Sequence, residues 1–211
     1  MLTEVHRQAL GSPVIQMATR LREYGWLGMG EYGDSRYLRA TADEIPELIL
    51  AADQVICGTH RTRHAHNAII RAAYGFEGVI PMPGEKLLCC HNGKREGMLN
   101  GSLWEVLDCE RSATGYLYAD LKSLDSGRIE RTVKMHAKPF AGRKIFPEDQ
   151  FDANEFDWGY VFTVHKAQGS QWPHVALIHD GWHDEDNFLE HWLYTAITRA
   201  QERVTIIKRH R

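Results

Sequence analysis

No stretch of this 211-residue sequence fits G-x-x-x-x-G-K-[ST], the loop whose glycines let backbone N–H groups wrap phosphates and whose lysine reaches the terminal ones. Its Gly-Lys pair, Gly93-Lys94, is followed by Arg95 and has Leu88 where the first glycine would stand. ATP turnover is therefore not expected from these residues alone. Cysteine is scarce: Cys57, Cys89, Cys90 and Cys109 show no framework spacing, and the neighbours Cys89 and Cys90 would point to opposite faces of a strand. They read as free thiols in a reducing compartment. No apolar run approaches the ~18–20 residues that cross a bilayer, and no basic-then-apolar leader opens the chain, so no membrane partner and a cytoplasmic location are expected.

What is present is a globular composition. Hydrophobic residues make up 43%, enough to bury a full core, and the length suits one large domain or a domain carrying an inserted module. The formal net charge of −3 argues weakly against nucleic acid, yet the charge is uneven. From Arg128 to Lys144 six Lys/Arg face one acid, Glu130; Arg61, Arg63 and Arg71 form a second basic group; acids gather from Asp180 to Glu190. A local basic stripe is the electrostatic footprint that phosphate contacts need, so a mildly acidic total does not exclude DNA.

Along the chain, Ser12-Pro13 followed by Val14, Ile15, Met17, Ala18 and Leu21 predicts a capped helix ended by Gly25. Gly25 to Gly33 reads as a loop. Thr41-Ala-Asp-Glu44 is a capping-box signature opening a helix to about Ala52, Gln54–Cys57 a buried strand, and Thr62–Tyr74 a third helix. At Pro81-Met-Pro83-Gly84 the rhythm changes to short alternating strands at Lys86–Cys90, Leu103–Leu107, Tyr116–Leu121 and Thr132–Lys138, separated by turn signals, a pattern that suggests a small barrel. The α/β rhythm then returns: a helix near Phe162–Ala167, a strand at Val175–His179, a helix near Leu189–Ala200 and a strand at Val204–Lys208.

Two segments carry the most information: Gly159-Tyr-Val-Phe-Thr-Val-His-Lys-Ala-Gln-Gly-Ser170 and Trp192-Leu-Tyr-Thr-Ala-Ile-Thr-Arg-Ala200. Together they resemble motifs V and VI of superfamily-one helicases, most closely the RecD and Dda branch, RecD being the exodeoxyribonuclease V alpha subunit. Leu2-Thr-Glu-Val-His-Arg-Gln8 resembles motif IV, Cys57-Gly-Thr-His-Arg-Thr-Arg63 motif IVa, and the β-rich stretch the SH3-like 2B insertion of that branch. The resemblance implies an α/β fold: a RecA-like (P-loop NTPase-type) motor domain 2A lacking its own Walker A, built from residues 1–80 and 158–211, with a small SH3-like β-barrel inserted at 81–157. It further implies a helicase fragment or split gene product that begins after the first motor domain, in a bacterial or phage-infected cell, moving 5′ to 3′ on DNA.

The roles follow from the same resemblance. Arg199 is the expected arginine finger, since a planar fork of donors suits charge developing on a transferring phosphoryl group; Arg7 is the second arginine near it. Gln171 and Gly169 are the expected ATP contacts, with Gln171 standing where many relatives have Glu. ATP and Mg²⁺ would bind only in company with the missing first motor domain. Thr59, Arg61, Arg63, Thr163, His165, Lys166, Gln168 and Ser170 are the expected contacts to single-stranded DNA, Thr59 and the amides of the following helix N-terminus offering an anion seat.

Plainer readings stand beside these. Arg199 at a helix end also suits the dipole, and Gly169 suits a helix C-cap. Tyr116, Tyr118 and Phe140 fit base stacking or a small core. Cys57, His60, His64 and His66 cluster, but no second knuckle follows and no metal is expected. The alternatives to a helicase part are a nucleic-acid-binding or regulatory module without ATPase, or a trans-acting half of a composite ATPase.

Overall fold

The computed structural model describes residues 11–92, 98–146, 152–180 and 188–210, with Phe188 described by its backbone alone. In chain order the elements are α1 (Pro13–Tyr24), β1 (Gly30–Tyr32), β2 (Ser35–Ala40), α2 (Ile45–Leu50), β3 (Gln54–Cys57), α3 (His60–Ala73), β4 (Lys86–Cys89), β5 (Leu103–Arg111), β6 (Leu117–Ser123), β7 (Ile129–Met135), β8 (Phe156–Trp158), β9 (Val161–Thr163), β10 (Trp172–His179), α4 (Phe188–Ile197) and β11 (Ala200–Arg209). They fall into two compact units, Met1–His66 with Val161–Arg211, and Asn67–Tyr160.

The first unit holds a six-stranded sheet in the order β1-β2-β11-β10-β3-β9. All neighbours from β2 to β9 pair in parallel; only β1 is antiparallel. Parallel strands covered on both faces read as unbroken apolar runs, and β3 and the second half of β10 are buried throughout. Helix α1 starts as its sequence dictates: Ser12 is extended, Pro13 takes the first turn, and Gly25 stops it at φ 72°, its N–H donating to Leu21 O. Its apolar stripe of Val14, Met17, Ala18 and Leu21 packs on α4 and β11.

Three expectations change here. The glycine-rich 25–33 loop ends in a strand: Gly30–Tyr32 pairs with Ser35–Ala40 through a turn in which Gly33 has φ 61°. The helix expected near Phe162–Ala167 is strand β9, laid parallel to Val55–Cys57, followed by one helical turn in which Ala167 N–H donates to Thr163 O at 3.1 Å. A short apolar run suits either element, and a free parallel edge on β3 decides for the strand. Helix α2 is shorter than expected; the Glu44 carboxylate accepts from Thr41 N–H (2.7 Å) and Thr41 Oγ (2.9 Å), but the helix begins only at Ile45.

The second unit is an antiparallel sheet in the order β7-β6-β5-β4-β8 over a core that includes Leu87, Leu88, Trp104, Val106, Leu117, Leu121, Met135 and Phe156. The expected barrel is not closed among the described residues. Strands β7 and β8 remain the edges, meeting near one end by a single parallel bridge, Met135 to Asn154. β8 has only three residues and spends them on β4, so no ladder is left to seal the ring.

A bulge shapes β7. Asp120 on β6 accepts from Thr132 N–H (2.8 Å) and Arg131 Nη1 (2.7 Å), and Thr132 adopts φ 52°, a left-handed conformation that a β-branched residue rarely takes. The extra residue reverses the alternation, so Val133 and Met135 are buried while Ile129 is 47% exposed.

This unit also takes in residues 67–80 and 158–160, beyond the expected 81–157 insert. Arg71 is one tie between α3 and the rest of this unit. Its Nε and Nη2 bond the fully buried Glu85 carboxylate at 2.6 and 3.1 Å, Nη1 bonds Gly78 O at 2.8 Å, and the guanidinium carbon lies 3.6 Å over the Trp158 ring. Among the described residues no helix is long and apolar enough to cross a membrane.

Candidate functional site

Because β2, β11, β10, β3 and β9 run parallel, their C-terminal ends share one edge of the sheet, where ligands of open α/β sheets gather. Cys57, Thr163 and His179 end β3, β9 and β10 there. Just beyond them lie Thr59 and Asp180. Thr59 caps α3: its Oγ accepts Thr62 N–H at 3.2 Å and its carbonyl accepts Arg63 N–H at 3.0 Å. Its own N–H and hydroxyl both lie 2.9 Å from Asp180 Oδ2. The anion seat expected at Thr59 thus holds a carboxylate of the same chain. Burial, then the Asp180 charge, push the Cys57 thiol far above its ordinary range, so it is a packed neutral group and not a nucleophile. Burial also lowers the pKa of His66, whose Nδ1 contacts Thr62 O at 2.8 Å.

The connection from β9 to β10 leaves this edge and arrives at the opposite one. It begins after Thr163, makes the turn at residues 164–169 with Gly169 at φ 90°, and enters β10 at Trp172. His165, Gln168 and Gly169 are exposed, Lys166 and Ser170 half-buried, and Val164 and Ala167 buried beneath them. At its far end Trp172 N–H donates to Arg199 O (2.9 Å), Gln171 Nε2 to Thr198 O (3.1 Å), and Arg199 Nη1 to Ser170 O (3.2 Å).

Arg199 lies in the turn between α4 and β11, half-buried, two residues past the helix end. Nε donates to Thr195 O at 3.0 Å and Nη2 to Thr198 Oγ at 3.1 Å, so the side chain wraps the C-terminus of α4. Beside it Gln171 joins Arg22, Tyr194, Thr198 and Gln201 in the wall of an open cleft of about 540 Å³, floored by Val14 and Ala18 of α1.

The structure therefore gathers Thr59, Arg61 and Thr163 at one sheet edge, Ser170, Gln171 and Arg199 at the other, and places His165, Lys166, Gln168 and Gly169 on the link between them. Arg61 is exposed. Arg63 and Thr163 are buried, at 9% and 6% exposure, so neither offers a surface contact; Arg63 Nη2 lies 3.2 Å from His64 Nε2. Arg7 lies outside the described residues. Asp180 was not foreseen, since it reads as the first of an acidic run; its place directly after the buried strand was the available signal. Arg22 and Tyr194 were also missed. Phe140 is core, 4% exposed and edge-on to Trp158 at 4.8 Å between ring centres. Among the described residues no group of three His, Cys, Asp or Glu side chains is placed to hold a metal ion.

Comparison with known proteins bears on the fold and on one segment of the chain. Residues 159–207, from the end of β8 to β11, match the UvrD-like helicase C-terminal domain family. Among solved structures, the chain is similar to a Pif1 helicase from a study of DNA unwinding at forked double-stranded DNA by two coordinating Pif1 helicases (TM-score 0.53, 16% identity, 92% of this chain and 46% of that one). It is also similar to Bacteroides Pif1 in complex with ADP-AlF3 and single-stranded DNA (TM-score 0.52, 14% identity, 92% and 48%) and to Candida albicans Pif1 (TM-score 0.53, 14% identity, 92% and 52%). The chain spans about half the length of those helicases. It shares the fold of that part of a Pif1 helicase, and over residues 159–207 it is similar to the C-terminal domain of UvrD-like helicases.

Proposed function

We propose that this chain is the second motor half, a RecA-like domain 2A with an inserted SH3-like 2B unit, of an ATP-dependent DNA helicase of the RecD/Dda-like branch, moving 5′ to 3′ on single-stranded DNA. In this reading Mg²⁺-ATP is a substrate held by a first RecA-like domain bearing G-x-x-x-x-G-K-[ST], on the same or a separate chain. The present residues add Arg199 to the developing charge, Gln171 and Gly169 to the nucleotide, and Thr59, Arg61, His165, Lys166, Gln168 and Ser170 to the sugar-phosphate strand. Arg63 and Thr163, being buried, are left out of that set of contacts.

The observation that carries the reading is the link from β9 to β10. It starts at the edge that bears Thr59 and ends hydrogen-bonded to Arg199 and Thr198, so a strand gripped at one end is connected through eight residues, 164–171, to the arginine at the other. A second reading, a nucleic-acid-binding module without ATPase, is favoured by the guanidinium itself, three of whose five N–H donors are engaged by its own helix end and by Ser170.

Arg199→Ala separates the two in a protein that couples this chain to a first motor domain. A finger predicts turnover lowered by ~10³-fold or more with DNA binding intact, and Arg199→Lys equally slow, because lysine keeps the charge and loses the fork. A helix cap predicts a stability loss of ~0.3–1 kcal/mol and unchanged turnover, a result that would sink the helicase reading of this residue.

A further inference from the structure

The basic run from Arg128 to Lys144 is not used by the reading above, and the structure sorts its charges. Arg128 is spent on Glu130 and Arg131 on Asp120. Two of the next charges lie over aromatic rings. Lys134 Nζ lies 3.9 Å over Tyr116, and Lys138 Nζ lies 5.3 Å from the ring centre of Phe146, which is 59% exposed. Lys134 is paired across the β6–β7 ladder with Tyr118, while Leu117, Ala119, Val133 and Met135 face the core from the other side. Tyr116, Tyr118 and Lys134 therefore share the outer face, half-buried. Arg143 N–H donates to Lys138 O at 2.9 Å, folding the exposed Arg143 and Lys144 back beside Lys138. Glu110, paired with Tyr118 on the β5 side, and Asp120, two residues along β6 and bonded to Arg131, are acids that border this face.

We propose that this outer face of β6–β7, continued through Lys138, Arg143 and Phe146, is a second binding surface for single-stranded nucleic acid. It rests on the reading above for the class of ligand and stands apart from Thr59 and Lys166 in its residues. Alternating ammonium groups and ring faces match the two surfaces of an unpaired strand: phosphates meet Lys134, Lys138 and Arg143, and bases stack on rings without regard to sequence. An edge strand also uses lysines to repel other strands, but that role needs no exposed ring beside them. Phe146 is the ring such a role leaves unexplained.

The test is fluorescence anisotropy of a labelled oligothymidylate, long enough for a site of ~4–16 nucleotides, titrated with the full chain and its variants across a salt series. Phe146→Ala is expected to weaken binding about tenfold, the loss of one stacked base. Lys134→Ala should lower the slope of log K against log salt by about 0.7, one phosphate contact on a single strand. Melting and far-UV circular dichroism check that both variants stay folded; Tyr118→Leu supplies a third reading should Lys134→Ala not. Loss in these variants with Arg61→Ala and Lys166→Ala unaffected upholds this surface and removes the Thr59 edge. The reverse pattern overturns this surface and leaves that edge standing. A wild-type chain that binds no oligothymidylate sinks both. Displacement of the oligonucleotide by poly-glutamate at equal charge, with Phe146→Ala silent, overturns the stacking surface in favour of an acidic-peptide site.

Discussion

Removing Arg71 is the sharpest test of what holds the second unit together. The pair Arg71–Glu85 is buried, at 9% and 0% side-chain exposure, and Glu85 also accepts Met82 N–H at 2.9 Å. Arg71→Met keeps most of the apolar volume over Trp158 but leaves a carboxylate in the core with one donor. Truncating one partner of a buried ion pair costs about 3–5 kcal/mol, because the remaining charge is stranded; the lost contact to Gly78 O and the ring stacking act in the same direction. Replacing both partners, Arg71→Met with Glu85→Leu, removes the stranded charge and should recover at least half of that loss, since the desolvation cost of the pair vanishes too. Urea unfolding followed by circular dichroism measures both variants, and limited proteolysis around residues 67–85 reports local opening. Additive losses in the double variant, or a loss under ~1 kcal/mol in Arg71→Met, would refute the argument, for then the pair would behave as a solvated surface contact.

Other perturbations follow from single contacts. Gly159→Ala places a methyl 2.9 Å from Leu87 C and 3.0 Å from Lys86 O, both backbone, so ~1–3 kcal/mol of stability should be lost in a thermal melt; an unchanged melt contradicts the close approach. Stability should fall as pH drops from 7 toward 5: burial holds His174 and His66 below their ordinary pKa, the unfolded chain binds more protons in that range, and the stabilisation present above pH ~6.5 is lost as pH passes down through the folded values. His174→Gln should flatten that pH profile; a profile unchanged in this variant counts against His174. Asp180→Asn removes the carboxylate at the start of α3 and should cost ~0.3–1 kcal/mol. The same variant should bind oligothymidylate more tightly only while Thr59 keeps its hydroxyl, so an equal gain in a Thr59→Val background would show a general charge effect instead.

Much of the first unit was legible because its signals are local. Ser12-Pro13 and Gly25 bound α1 on the page as they do in space, and Gln54–Cys57 is the strand its apolar run predicts. The strand at Ile129–Met135 was read as starting at Thr132, the bulge, because the alternation changes phase there: Val133 and Met135 face in, whereas Ile129 faces out. β9 was misread because three apolar residues have no period; only the free edge of β3 makes them a strand. In the site, Arg63 was read as surface because arginine usually is, yet Arg63, Asn67 and Ile70 are all buried, on spacings of four and three that put them on one face of α3. Asp180 could not be paired with Thr59 from sequence, since 121 residues separate them and only the β3–β10 ladder brings their strand ends side by side.

That ladder is also why one carboxylate and a DNA phosphate bear on the same question. Thr59 presents an N–H and a hydroxyl to a single oxygen at 2.9 Å each, at the N-terminus of a helix, where the dipole favours any anion. A phosphate oxygen and Asp180 Oδ2 offer these donors the same chemistry, so they exclude one another. What differs is the position of the rest of each group: the carboxylate is fixed to the end of β10, whereas under the helicase reading a strand of nucleic acid arrives from solvent, where Arg61 is exposed. Under the helicase reading, exchange of the first for the second frees the end of β10, and β10 begins at Trp172, whose N–H is bonded to Arg199 O. The strand that carries Asp180 at one end thus carries the arginine's tether at the other, and the parallel sheet supplies a rigid path between them.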